Sequence, residues 1–417
     1  MPRDAASPVQ AVWLDRRSPP HLTTLVALAA LAALNMNVFL PSLPGMARDL
    51  RADYALIQLA VSGYLGASAA LQLVIGPLSD LYGRRPVVLA GLAIFLVATL
   101  GCVLAESVEA FLAWRLLGTA VAAGMVLSRA VVRDMVGAAQ AASLIGYVTM
   151  GMSLAPMVGP MVGGWLDQAF GWRANFVLLA VLGAAVLALA AADLGETHRD
   201  RGGDFRAQMR AYPELARSRR FWGYAAAMAF ASGSFFAFLG GAPYVATELL
   251  GMSAAQTGFW FGFIALGYAF GNYLSGRFAA RRGVNRMVLT GGLVTLAGML
   301  TACALFAAGL AHPAALFGPV LLVGVGNGLS LPSATAGSLS VRPHLAGSAA
   351  GLGGALMIGG GAALAAVTGA LLGEGASAWP LLWMMTGSAT AALGAVAYVF
   401  WVEKVHGPLP GLEDAGA

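Results

Sequence analysis

Mostly apolar stretches of about 18 residues or more, each closed off by charge, proline or glycine clusters, repeat along the whole chain. They lie near 22–43, 57–79, 86–105, 110–132, 141–166 and 174–195, and again near 221–245, 255–276, 286–308, 313–340, 345–373 and 378–402. Each is long enough for one bilayer crossing, which takes about 20 residues. The pattern therefore predicts an all-α integral membrane protein. Twelve transmembrane helices are expected in two six-helix halves, 22–195 and 221–402, with tails at 1–21 and 403–417.

The stretch 196–220 breaks the pattern with Arg199, Arg201, Arg206, Arg210, Arg217, Arg219 and Arg220, interspersed with Asp200, Asp204 and Glu214. It reads as a solvated basic linker, or as an amphipathic helix lying on anionic lipid. Composition agrees: 59% of the 417 residues are apolar and 10% charged, against about 25% charged in soluble domains. Such a composition argues against a soluble fold of this size. The first 21 residues carry Arg3, Asp4, Asp15, Arg16, Arg17 and a Pro19-Pro20 pair, so the first apolar stretch is expected to stay as a helix and not to be cleaved as a signal peptide. Cys102 and Cys303 sit inside apolar runs and are expected to be packing residues.

Placing the amino terminus in the cytoplasm puts Arg84, Arg85, Arg133, the linker arginines, Arg277, Arg281, Arg282, Arg286, Arg342 and Lys404 on its side. Only Arg48, Arg51 and Arg173 fall opposite. The positive-inside rule thus predicts two cytoplasmic termini. Gly76 followed by Arg84-Arg85 after the second span recurs as Gly271 followed by Arg281-Arg282 after the eighth. The halves accordingly read as parallel repeats of the kind that rock about a central site.

Three motifs carry candidate chemistry. Gly76-Pro77-Leu78-Ser79-Asp80-Leu81-Tyr82-Gly83-Arg84-Arg85-Pro86 forms a short loop in which Asp80 can meet helix-terminal amides and Arg84 and Arg85 can bind acids, Asp134 among them. Such contacts latch one side of the bundle; the arginines also serve as topology anchors. In the fifth span Gly159, Pro160, Gly163 and Gly164 follow Gly151, Ala155 and Pro156, giving one small-residue face with a possible kink. Gly-x-x-x-Gly spacing by itself signals helix packing as readily. In the fourth span Arg115 lies six residues beyond Glu109, roughly 9 Å deep at 1.5 Å per residue. At that depth a guanidinium should face a cavity or a partner.

The Gly76–Pro86 loop resembles the signature loop of the major facilitator superfamily, and the fifth-span string resembles the motif that family shows in antiporters. With Phe39-Leu40-Pro41-Ser42-Leu43-Pro44 and Ser232-Gly233-Ser234-Phe235-Phe236, the chain resembles the bicyclomycin- and chloramphenicol-resistance (Bcr/CflA) drug exporters, a proton-antiporter branch of that superfamily. The resemblance spans residues 22 to 402. It implies the major facilitator fold, alternating access, and pairing of Asp134 with Arg84 or Arg85. One departure bears on mechanism: many of these exporters carry a carboxylate just before the Leu-Pro segment, whereas Asn37 stands there with Asn35 nearby. An amide does not exchange protons near neutral pH, and no acid lies mid-span.

Asn35, Asn37, Tyr64, Arg115, Phe235, Phe236, Asn272 and Asn327 are the candidate lining of a central apolar pocket suited to lipophilic compounds. Each has a packing alternative. The histidines fall in tails and loops without metal spacing. No cofactor or metal, no catalysis and no nucleic acid are therefore expected. The expected partners are a small lipophilic substrate, the lipid bilayer and protons as coupling ion. A monomer of the bacterial inner membrane is expected, exporting drugs or metabolites. A proton-independent facilitator and a non-transporting sensor are the alternatives.

Overall fold

The computed structural model describes residues 13–135, 155–197, 213–342, 345–373 and 375–407, together with Leu144, Val148 and Met152. Gly151, the linker arginines 199, 201, 206 and 210, Pro343, His344 and Glu374 lie outside the described residues. Helices make up the fold: α1 Leu22–Asn37, α2 Leu43–Asp49, α3 Tyr54–Ile57, α4 Leu59–Tyr82, α5 Arg84–Leu104, α6 Val108–Leu117, α7 Ala122–Met135, α8 Ala155–Phe170 and α9 Arg173–Asp193. A second set follows: α10 Arg219–Tyr244, α11 Ala254–Arg282, α12 Val284–Ala307, α13 Pro313–Ser340, α14 Ala346–Leu371 and α15 Trp379–His406. No strand occurs among the described residues.

Ten segments among them are long and apolar enough to cross a membrane. Of the twelve expected spans, the two outside this group are α8 and α11. α8 is described over 16 residues, and α11, though 29 residues long, carries Gln256, Thr257, Asn272, Ser275 and Arg277. Ile94, Val97 and Leu100 of α5, Val181 of α9, Leu293 and Leu300 of α12 and Trp383 of α15 point outward. Exposed apolar faces of this kind suit a bilayer as solvent. Within it, close packing replaces hydrophobic collapse as the force between helices. Accordingly, a Cβ at Gly267 or Gly271 of α11 would strike the Leu321 or Val325 carbonyl of α13. Gly324 and Gly328 return the same close approach to Ile264 and Tyr268.

The first span bends where Pro41 and Pro44 interrupt the hydrogen-bond ladder, through a 3-10 turn Leu40–Ser42 into α2. Gly83 joins α4 to α5 at φ 98° and ψ 155°, and Gly283 joins α11 to α12 at φ 79° and ψ 155°. These twin hinges place Arg84 opposite Val284. The repeat read from the arginine pairs is therefore out of register, because Arg281 and Arg282 precede their hinge glycine and Arg84 and Arg85 follow theirs.

Candidate functional site

Arg115, at the end of α6, is 2% exposed. Its Nη1 donates to Asn35 Oδ1 at 2.6 Å, its Nη2 to the Asn35 carbonyl at 2.8 Å, and its Nε to the Ala60 carbonyl at 3.3 Å. The guanidinium carbon lies 4.5 Å from the Phe39 ring centre and 4.3 Å from that of Tyr64. Asn35 Nδ2 in turn donates to the Tyr64 hydroxyl at 3.1 Å. A desolvated cation is tolerated here because a fork of donors meets three oxygens and two aromatic faces. The knot ties α1, α4 and α6 together with neutral partners.

The other candidate lining residues sit elsewhere. Asn37 donates to the Ala33 carbonyl at 2.6 Å, and its Oδ1 has no partner among the described residues. Phe235 and Phe236 of α10 meet ring to ring at 5.7 Å, with Phe236 filling the space over Gly361 of α14. Asn272 lies beside the Tyr268 hydroxyl on α11. Asn327 of α13 is buried, and its Oδ1 is also unpartnered among the described residues.

At one end of the bundle Arg84 is nearly buried. Its Nη1 meets Asp80 at 2.5 Å and the Ser79 hydroxyl, and its Nε meets Asp134 at 3.1 Å. Asp80 lies one helical turn before Arg84, so it reaches the side chain and not the helix-terminal amides. Those amides go to Glu196, which accepts from Arg84 N at 2.9 Å and Arg85 N at 3.3 Å. Arg85 Nη2 donates to the Ala191 carbonyl at 3.0 Å. Thr197 donates to Asp134 at 3.2 Å. Gly76 of α4 has open space where a Cβ would sit. Glu196 and Thr197 were expected to open a solvated linker; the acid three residues beyond the last apolar helix was the signal for their role.

The opposite end holds contacts between the two helix sets. Arg48 of α2 meets Glu248, in the π-helical turn Val245–Leu249, at 2.5 Å. Tyr54 donates to the Gly240 carbonyl at 2.6 Å, and its ring lies tilted against that of Tyr244, with ring centres 5.0 Å apart. Gln58 is fully buried against Gly240 and Gly369, its Nε2 unpartnered among the described residues. Composition does not mark Tyr54 and Gln58, which sequence reasoning passed over.

α8 joins this closure. A Cβ at Gly163 would overlap the Val38 carbonyl, and one at Gly164 the Ala254 carbonyl of α11. Gly258 of α11 seats against the Pro160 carbonyl in the same way, while Gly159 lies over Leu34 and Asn37. The small-residue face thus packs against α1 on one side and crosses to the second set on the other.

The chain matches the family described as the Major Facilitator Superfamily over residues 25–366. It is 30% identical to a "Chloramphenicol resistance protein" of Pseudomonas aeruginosa over 370 residues, 87% of each chain. To a "Bicyclomycin resistance protein homolog" of Haemophilus influenzae it is 29% identical over 389 residues, covering 92% of this chain and 96% of that one. Among solved structures, a D-xylose–proton symporter superposes with a TM-score of 0.72 at 13% identity, over 91% of this chain and 96% of its own, a likeness of fold alone. Matched over most of its length and built of membrane-crossing helices, the chain belongs to the major facilitator superfamily.

Proposed function

We propose that the chain is a drug or metabolite exporter of the bacterial inner membrane. It works by alternating access and moves a small lipophilic substrate outward in exchange for protons. The observation that carries this reading is the closure between the two helix sets at one end. Arg48–Glu248, Tyr54–Gly240 and the α8–α11 glycine contacts join the two helix sets at one end, while the Arg84 cluster is tied within the first set. With basic loops and both termini in the cytoplasm, the closed end faces outward and the substrate enters from inside. The relatives named for chloramphenicol and bicyclomycin resistance support drug-like cargo.

In this reading the segments 22–195 and 221–402 rock as two units about the central lining residues, and one chain suffices as a monomer. Gly76, Asp80, Gly83, Arg84, Arg85 and Asp134 form the inner latch. Gly159, Pro160, Gly163 and Gly164 form the sliding face on which α8 meets α11. A proton-independent facilitator is the second reading, favoured by Asn37, which stands where related exporters carry a carboxylate, and by the neutral partner of Arg115, Asn35.

The test is export from liposomes holding purified protein, with an inward proton gradient and a panel of amphenicol-like and cationic lipophilic compounds. One charge moved through 100 mV yields about 2.3 kcal/mol, so coupled export should build a gradient that an uncoupler abolishes. Export indifferent to the gradient establishes the facilitator. Absence of flux for every compound overturns transport of this substrate class.

A further inference from the structure

The residues Asp193 to Thr197, where α9 runs out toward the linker, hold three separate parts of the first helix set. Glu196 caps α5 from 112 positions away in sequence, one carboxylate oxygen on Arg84 N and the other on Arg85 N. These amides belong to the first turn of a helix, where no intrahelical acceptor exists, and the N-cap residue Gly83 offers no side chain to satisfy them. Thr197 donates to the same Asp134 oxygen that receives Arg84 Nε. Asp193, wholly buried, accepts from Leu14 N at 2.8 Å, His21 N at 2.9 Å and the Thr24 hydroxyl at 2.6 Å. The amino-terminal stretch is thereby strapped to the end of α9, and a Cβ at Gly195 would collide with the Ser18 and Arg16 carbonyls.

We infer that Glu196 is a positioning residue of the inner latch. Resting on the transporter reading above, the inference adds an acting group outside the signature loop. Glu196 fixes the first turn of α5, and that turn aims the Arg84 side chain at Asp80 and Asp134. Release of Glu196 frees two amides and turns Arg84 away from its acids, loosening the latch without any change in the substrate region.

The second helix set carries a counterpart. Its last helix, α15, sends Glu403 to Asn285 Nδ2 at 2.7 Å, two residues past the twin hinge Gly283. Asn285 Oδ1 also receives the Tyr224 hydroxyl at 2.7 Å. In both sets an acid from the end of the final helix reaches the start of the helix that follows the hinge glycine. On the second set it meets a side chain, and on the first it meets the backbone itself.

The experiment uses the full chain in lipid nanodiscs, compared as wild type, Glu196→Ala, Glu196→Gln and Asp193→Ala. Hydrogen exchange is followed in the peptide covering residues 79–88, and export from liposomes is measured in parallel. Glu196→Ala should speed exchange of the Arg84 and Arg85 amides at least tenfold and lower maximal export at least fivefold, with the substrate concentration at half-maximum unchanged within twofold. Glu196→Gln, which keeps one acceptor, should fall between. Asp193→Ala should loosen residues 13–24 and leave the 79–88 peptide protected. Unchanged exchange at 79–88 in Glu196→Ala overturns the cap, and faster exchange with undiminished export overturns its role in the latch. A wild type that exports nothing refutes the transporter reading while the exchange data still decide the cap.

Discussion

Arg115 holds Asn35 by two contacts at once, its Nη1 on the side-chain oxygen at 2.6 Å and its Nη2 on the main-chain carbonyl at 2.8 Å. A buried cation thus rests on a neutral amide and couples two spans that are 80 positions apart. Arg115→Ala removes three charge-assisted hydrogen bonds worth about 1.5–3 kcal/mol each and strands their acceptors. Its melting temperature in detergent should fall by several degrees. Arg115→Lys should recover little of this, since an ammonium cannot present a planar fork to Asn35 and Ala60 together. Melting equal to wild type in Arg115→Ala would remove the knot from the account of stability.

Asn35→Asp tests the same contact in the other sense. A carboxylate at that position meets Arg115 directly and gives a counter-charge to a cation that is already buried. The variant should melt no lower than wild type, whereas Asn35→Leu, which abolishes the acceptor, should melt well below it. Thermal melts of the two variants side by side decide the matter.

Asn37→Asp places an ionisable group where one amide oxygen already lacks a partner among the described residues. A carboxyl there can take up and release a proton, which the amide cannot. Initial export rates between about pH 6 and 8 should consequently depend on pH more steeply than in wild type. Identical profiles would show that position 37 takes no part in proton exchange.

The Arg48–Glu248 pair is half in solvent, and exposed pairs contribute about 0.2–1 kcal/mol. Breaking it should move the conformational balance more than the melting temperature. In Glu248→Gln, a cysteine at position 58 should react faster with a membrane-impermeant maleimide, by up to about fivefold for that energy. The double exchange Arg48→Glu with Glu248→Arg should restore the slow rate. No change in labelling for Glu248→Gln would show that the glycine contacts alone close this end.

Gly164→Leu drives a side chain into the Ala254 carbonyl. Overpacking costs about 1–3 kcal/mol, and here the cost falls only on the conformer in which α8 and α11 are closed. The same maleimide assay at position 58 should report a persistently open end, with export lost and expression retained. A closed, slowly labelled Gly164→Leu protein would place the α8–α11 contact outside the gate.

The hydrophobic pattern alone announced a membrane protein of many spans, since runs of apolar residues at bilayer length have no other stable environment. Local sequence likewise fixed the Gly83 turn, where a φ of 98° suits glycine. It had Asp80 meeting helix-terminal amides, whereas Asp80 pairs with the Arg84 side chain and Glu196 takes the amides. Depth along the fourth span marked Arg115 as needing a partner. Which partner it takes was beyond reach, because Asn35, Phe39 and Tyr64 converge on it only through the packing of α1, α4 and α6. Glu196 read as the start of a solvated connector, and the arginine pairs suggested a repeat register that the twin hinges at Gly83 and Gly283 correct. Arg48 and Glu248 lie 200 positions apart. Periodicity reports which residues share a helix face, and contacts between distant helices depend on how those faces dock. The span pattern belongs to the sequence; the cap on α5, the Arg115 knot and the closed end exist only once the helices are packed.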